Sequence, residues 1–185
     1  PFFLLPIPLL AIHILWINLV TDGLPGLALA SEPAEKNIMK RPPRNPKENI
    51  FSNGMGRHIL WVGFLMGITT LGMQFWAMNR ENTHWQTMAF TVLCFSQMGH
   101  VMAIRSERES LFKIGVFSNK PLMGALFFTV ILQLIIIYVP FFNTIFKTQP
   151  LSIAELAITI VVSSIVFWAV EIEKWIFRLR NKTHE

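Results

Sequence analysis

Uncharged stretches long enough to cross a lipid bilayer recur along this chain. No Asp, Glu, Lys or Arg occurs in 1–21, 58–79, 82–104 or 121–146, runs of 21, 22, 23 and 26 residues. Each matches the roughly 20 apolar residues that a membrane-crossing helix needs. A fifth stretch, 148–170, holds a single acid, Glu155, near its start. The pattern predicts an all-α polytopic membrane helix bundle of five transmembrane helices, at about 4–30, 57–78, 84–104, 121–142 and 152–177, forming one domain over 1–185. The first is interrupted by D-G-L-P-G, Asp22 to Gly26, where proline removes a backbone donor and glycine weakens the helix. Such backbone is tolerated at membrane depth where it lines a cavity or is buried in protein. The second carries Gly63 and Gly67 at the GxxxG spacing that permits close helix packing. The fourth, rich in Ile, Leu and Phe, reads as lipid-facing bulk.

Composition supports this reading. Of the 185 residues 52% are hydrophobic and 15% charged, with a mean hydropathy of +0.47. A water-soluble domain carries about 25% charged residues, so an ordinary cytosolic enzyme and a disordered tail are both excluded. The one cysteine, Cys94, leaves no disulfide framework and no cysteine-based metal site.

The net charge of +5 acquires its meaning from where the bases fall. Lys36, Lys40, Arg41, Arg44, Lys47 and Arg57 lie in 31–57, four more in 105–120, and four in the C-terminal tail. With five crossings these segments share one side, and the other side has only Arg80 and Lys147. The positive-inside rule then places the N-terminus outside and the C-terminus in the cytoplasm. Membrane orientation accounts for the basic balance and leaves no call for nucleic acid. An N-terminus outside, with no basic signal region before it, further predicts that upstream membrane helices precede Pro1.

Asp22 is the only aspartate and the only charged residue between Pro1 and Ser31. A carboxylate near the bilayer centre costs at least about 2.5 kcal/mol on insertion scales, which marks it as functional. Asn18 lies four residues before it on the same helical face, and Thr21 is reached from the edge of that face or through local unwinding. Carbonyl, carboxylate and hydroxyl oxygens are hard donors of the kind that bind Ca2+, Mg2+ or Mn2+ and, less tightly, Na+. One carboxylate does not neutralise a dication, so a further acid is expected from outside this chain. The alternative is that Asp22 serves as a hydrogen-bonding or proton-relay group within the bundle.

The string L-W-I-N-L-V-T-D-G-L-P-G, Leu15 to Gly26, followed by I-M-K-R-P-P-R-N-P-K-E, Ile38 to Glu48, resembles the sixth transmembrane helix and following loop of P-type calcium-transporting ATPases. The resemblance extends in layout over the whole chain, as helices six to ten. It implies a pump driven by ATP and Mg2+ and phosphorylated on a cytoplasmic domain outside this segment, exporting Ca2+ with Mn2+ as a second possible cargo. It implies cation ligands at Asn18, Thr21 and Asp22, with the helix unwound beside them. The family's second site uses an acid on the eighth helix, where this chain has Gln97. That departure favours one ion per cycle, and interhelical hydrogen bonding is the readier role for Gln97.

By the same resemblance the Pro-rich loop 31–56, with Arg41, Pro42, Pro43, Arg44, Asn45 and Pro46, contacts the phosphorylation domain and couples it to the ion site. The alternative is a basic cluster lying on anionic lipid. The implied partners are upstream helices, that phosphorylation domain and the bilayer; the implied location is a multi-pass position in the plasma membrane. The phosphorylated D-K-T-G motif does not occur in the sequence, so this segment contributes no ATP hydrolysis of its own. A channel or scaffold with one polar helix, or a pump for Mn2+, Na+ or H+, are the competing readings.

Overall fold

The computed structural model describes residues 6–32, 51, 55–106 and 109–182. Among them every element is helical. The first long helix, Ala11–Leu29, is built from α1 (Ala11–Trp16), a π-helical segment (Ile17–Asp22) and α2 (Gly23–Leu29). Then follow α3 (Met55–Asn79), α4 (Trp85–Ala103), the short α5 (Leu111–Ile114), α6 (Lys120–Tyr138), α7 (Pro140–Phe146) and α8 (Ile153–Lys182).

Among the described residues four helices have the length and apolar character to span a bilayer: Ala11–Leu29, Met55–Asn79, Lys120–Tyr138 and Ile153–Leu179. The remaining expected span corresponds to α4, 19 residues without a charged side chain. It is less apolar because Gln86, Thr87, Thr91, Ser96, Gln97 and His100 interrupt it. It is also the centre of the bundle, with α3, α8 and the π segment packed around it and Met88, Ala89, Phe90, Val92 and Cys94 fully buried. A helix surrounded by protein has no need of a lipid-compatible surface on every side.

Local breaks follow from single residues. Pro140 has no amide hydrogen, so the fourth expected span ends at Tyr138, and Val139 takes an extended conformation before α7 begins. The Asn143 side-chain amide donates to the freed carbonyls of Ile136 and Ile137 at 2.9 and 2.8 Å. Lys147, with φ of 54°, closes α7 in the left-handed region.

The fourth expected span is more than lipid-facing bulk, because α6 packs against α2 and buries Thr129 and Gln133 completely. Gln133 Oε1 accepts from Trp16 Nε1 at 2.9 Å, joining α6 to the first helix. Gly63 and Gly67 lie on an exposed face of α3, and a Cβ at either would meet nothing within 4 Å. The close helix contact expected there is not made among the described residues. A near approach occurs instead at Gly99, where an added Cβ would stand 3.4 Å from that of Phe167 on α8.

Candidate functional site

The Asn18–Asp22 region is held by an irregular turn whose cause is readable in the chain. Pro25 cannot donate to the Thr21 carbonyl four residues before it, which removes one rung of the α-helical ladder. Just ahead of this gap the backbone widens into the π-helical segment Ile17–Asp22, and regular α-helix resumes at Gly23. The irregularity thus falls on the ligand candidates themselves. Expected unwinding over Asp22–Gly26 is replaced by a π-helical turn one step earlier, because a wider turn keeps the backbone bonded while absorbing the lost donor.

This turn sorts the three oxygen donors. Asn18 and Asp22 lie on the exposed side of the helix. Thr21 turns inward and is fully buried, its hydroxyl set against the Cys94 thiol of α4 with no nitrogen or oxygen partner among the described residues. On α4, Ser96 Oγ and Gln97 Oε1 are likewise buried without partners. No hydrogen bond or ion pair to the Asp22 carboxylate exists among the described residues. Nor does any group of three or more His, Cys, Asp or Glu side chains among them stand ready to hold a metal ion. Asp22 and Asn18 therefore present an incomplete set of hard oxygen donors toward an open face. The loop residues Arg41, Pro42, Pro43, Arg44, Asn45 and Pro46 lie outside the described residues.

Where the first helix ends, a second polar cluster fixes its exit. Arg105, its side chain 1% exposed, donates from Nε and Nη2 to Glu32 at 3.0 and 2.8 Å, and from Nη1 to the carbonyls of Gly115 and Val116. Asn119 adds a 2.7 Å bond to the same carboxylate while its own oxygen caps α6. Burial works to raise the Glu32 pKa, but the hydrogen bonds from Arg105 and Asn119 and the Arg105 charge outweigh it and hold the carboxyl below its ordinary range. Along the chain Arg105 is one of the bases on the cytoplasmic side of the orientation count, and no sequence signal pairs it with an acid 73 positions away.

Lys174 is a similar case. It is 5% exposed and donates to the Ala103 and Glu109 carbonyls at 2.7 and 3.0 Å, while pairing with Glu171 at 2.7 Å. The i, i+3 spacing of Glu171 and Lys174 was the available signal. A third cluster joins α3, α4 and α8: His58 Nδ1 meets Glu173 at 2.7 Å, His58 Nε2 meets His100 Nε2 at 3.3 Å, and Trp61 donates to Glu173 at 3.0 Å.

Residues 6–176 match the family model described as cation transporting ATPase, C-terminus. The chain belongs to the cation-transporting ATPase family. Among its relatives, a calcium-transporting ATPase of Bacillus subtilis (strain 168) is 41% identical over 165 residues, 87% of this chain and 18% of that protein. Calcium-transporting ATPase 1 of Saccharomyces cerevisiae is 34% identical over 97% of the chain, and human calcium-transporting ATPase type 2C member 1 is 36% identical over 96%. The chain spans about a fifth of the length of these relatives, 19% and 20% for the last two. This cation-ATPase segment is helical and membrane-type in character, and Asp22 is its only aspartate.

Proposed function

We propose that the segment forms the later membrane helices of an ATP-driven calcium pump and supplies part of its ion site from the π-helical turn. Asn18 and Asp22 provide a carbonyl and a carboxylate oxygen to Ca2+ as transported substrate. Thr21 contributes through its own oxygens when the turn rearranges, and Gln97 is a weaker fourth donor. The observation that carries this reading is the Asp22 carboxylate, unpartnered among the described residues and set on irregular backbone in an otherwise uncharged helix. A dication needs more negative charge than one acid gives, so helices from the rest of the pump complete the site on the face where Asn18 and Asp22 lie open. Gly63 and Gly67 offer a second open face for close packing with such a helix.

In this reading α4 is a fifth crossing, the basic segments lie in the cytoplasm, and Arg41, Pro42, Pro43, Arg44, Asn45 and Pro46 carry the phosphorylation signal to the helix ends. ATP and Mg2+ act on the phosphorylation domain. The neutral Gln97 favours one ion per cycle, and the pump resides in the plasma membrane. Mn2+ is admitted by the same hard oxygen donors.

The test is Asp22→Asn in the full-length pump, which keeps size and removes charge. Calcium-dependent phosphorylation from ATP should be lost while expression and unfolding temperature stay near wild type. An unchanged calcium affinity would remove Asp22 from the site, and ion-dependent phosphorylation with Mn2+ but not Ca2+ would reassign the cargo.

A further inference from the structure

Between α3 and α8 runs a groove of about 420 Å3, lined by Thr69, Gly72, Met73 and Trp76 on one side and Ile158, Val162 and Ile165 on the other. Its walls are apolar in effect, since the Thr69 hydroxyl is already spent on the Leu65 and Met66 carbonyls. Gly72 widens it: a Cβ there would find nothing within 4 Å.

One end of the groove carries a cation. Arg80 follows the last turn of α3, and its guanidinium lies over the Trp76 ring, 4.8 Å from the centroid. Trp76 is itself a groove wall, so the charge stands at the mouth. The Arg80 side chain forms no hydrogen bond or ion pair among the described residues, and Glu155 is engaged by Asn82 at 2.5 Å and His84 at 3.1 Å.

The dimensions select the occupant. α3 has 25 residues, about 37 Å at 1.5 Å per residue, so its ends reach past a hydrocarbon core of about 30 Å. Arg80 then sits at the interface, where an Arg over an aromatic ring is well placed to meet a phosphate. From Arg80 down to Thr69 the axial distance is about 16 Å, close to half the core thickness. The groove runs about 10 Å along α3 from Thr69 to Trp76, and apolar walls with a cation one turn beyond its mouth match a single two-part molecule.

We propose that this groove is a binding site for an anionic phospholipid, with an acyl chain against Gly72 and the phosphate on Arg80. The inference rests on the membrane-spanning reading of α3 and α8 and is independent of which ion is transported.

The test uses the full-length pump, extracted in detergent, stripped of lipid and offered equal amounts of phosphatidylglycerol and phosphatidylcholine with matched chains. Native mass spectrometry should find one phosphatidylglycerol retained per chain at several-fold excess over phosphatidylcholine. Arg80→Ala should bring the two lipids to equal retention, and Gly72→Leu, which fills the groove, should lower retention of both. An unfolding temperature near wild type shows that each variant is folded; Arg80→Gln serves as a second variant for the charge. Equal retention of the two lipids by wild type, or unchanged phosphatidylglycerol retention in Arg80→Ala and Gly72→Leu, overturns the proposal. So does a co-purifying transmembrane polypeptide that shields Gly72. Release of the wild type from membranes without detergent would defeat the membrane-spanning reading itself, an outcome distinct from failure to hold lipid.

Discussion

Arg105 and Glu32 meet in a two-pronged pair at 3.0 and 2.8 Å, tying the exit of the first helix to the segment that follows α4. Both residues lie just past the C-terminal ends of the helices they secure, and Asn119 and the carbonyls of Gly115 and Val116 complete the cage. Replacing Arg105 with Ala removes the guanidinium from the Glu32 carboxylate, which keeps Asn119, and from the Gly115 and Val116 carbonyls. Breaking a buried pair in this way costs roughly 3–5 kcal/mol, so the unfolding temperature in detergent should fall by several degrees. A variant that unfolds with wild type would show that the cage contributes no stability.

The same pair gives a pH dependence with a definite sign. The folded Glu32 carboxyl titrates below its unfolded value, so its stabilisation is present above the ordinary carboxylate pKa of 4.5 and is lost as pH falls through the folded value. Stability measured from pH 7 down to about pH 3 should therefore decline more steeply in wild type than in Glu32→Gln. Parallel curves for the two proteins would contradict the assignment.

Lys174 should behave as a structural lysine despite its place in a basic tail. Lys174→Met keeps the aliphatic stem but abandons the Ala103 and Glu109 carbonyls and leaves Glu171 with one partner fewer. A loss on the order of 3 kcal/mol is expected, while Lys174→Arg keeps part of it. Chemical denaturation in detergent measures both, and equal midpoints for Met and wild type would refute the role.

His13 ties the first helix to α7. The Leu10 amide donates to Nδ1 at 3.2 Å, so the proton resides on Nε2, which donates to the Phe146 carbonyl at 2.7 Å. The ring stacks on Phe90 with centroids 4.2 Å apart. His13→Phe preserves the stack and removes both bonds, at a cost of about 1–3 kcal/mol for the orphaned groups. Urea titration followed by tryptophan fluorescence should show a lower midpoint, and an unchanged one would mean that ring stacking alone holds the junction.

Some of these roles were open to reading along the chain and others were not. The charge-free runs marked the long helices, since the length that spans a bilayer is fixed by lipid thickness. Asp22 stood out for the same reason, as one carboxylate in an uncharged segment. Gly63 and Gly67 also have a recognisable spacing, yet that spacing gives an ability to pack and not the direction in which the helix turns. Arg105 and Lys174 looked like orientation signals because a count of bases carries no information about partners 73 and 71 positions away.

The sequence by itself determined that this is a helical membrane segment, where its helices lie, and which carboxylate is exceptional, because each of these depends on local composition against a fixed bilayer. Only the tertiary structure decided that Pro25 is accommodated by a π-helical turn, that Thr21 faces inward while Asn18 and Asp22 face out, and that α4 is the buried centre. Those outcomes depend on how helices distant in the chain pack around one another, and packing is a property of their joint surfaces that no single stretch contains.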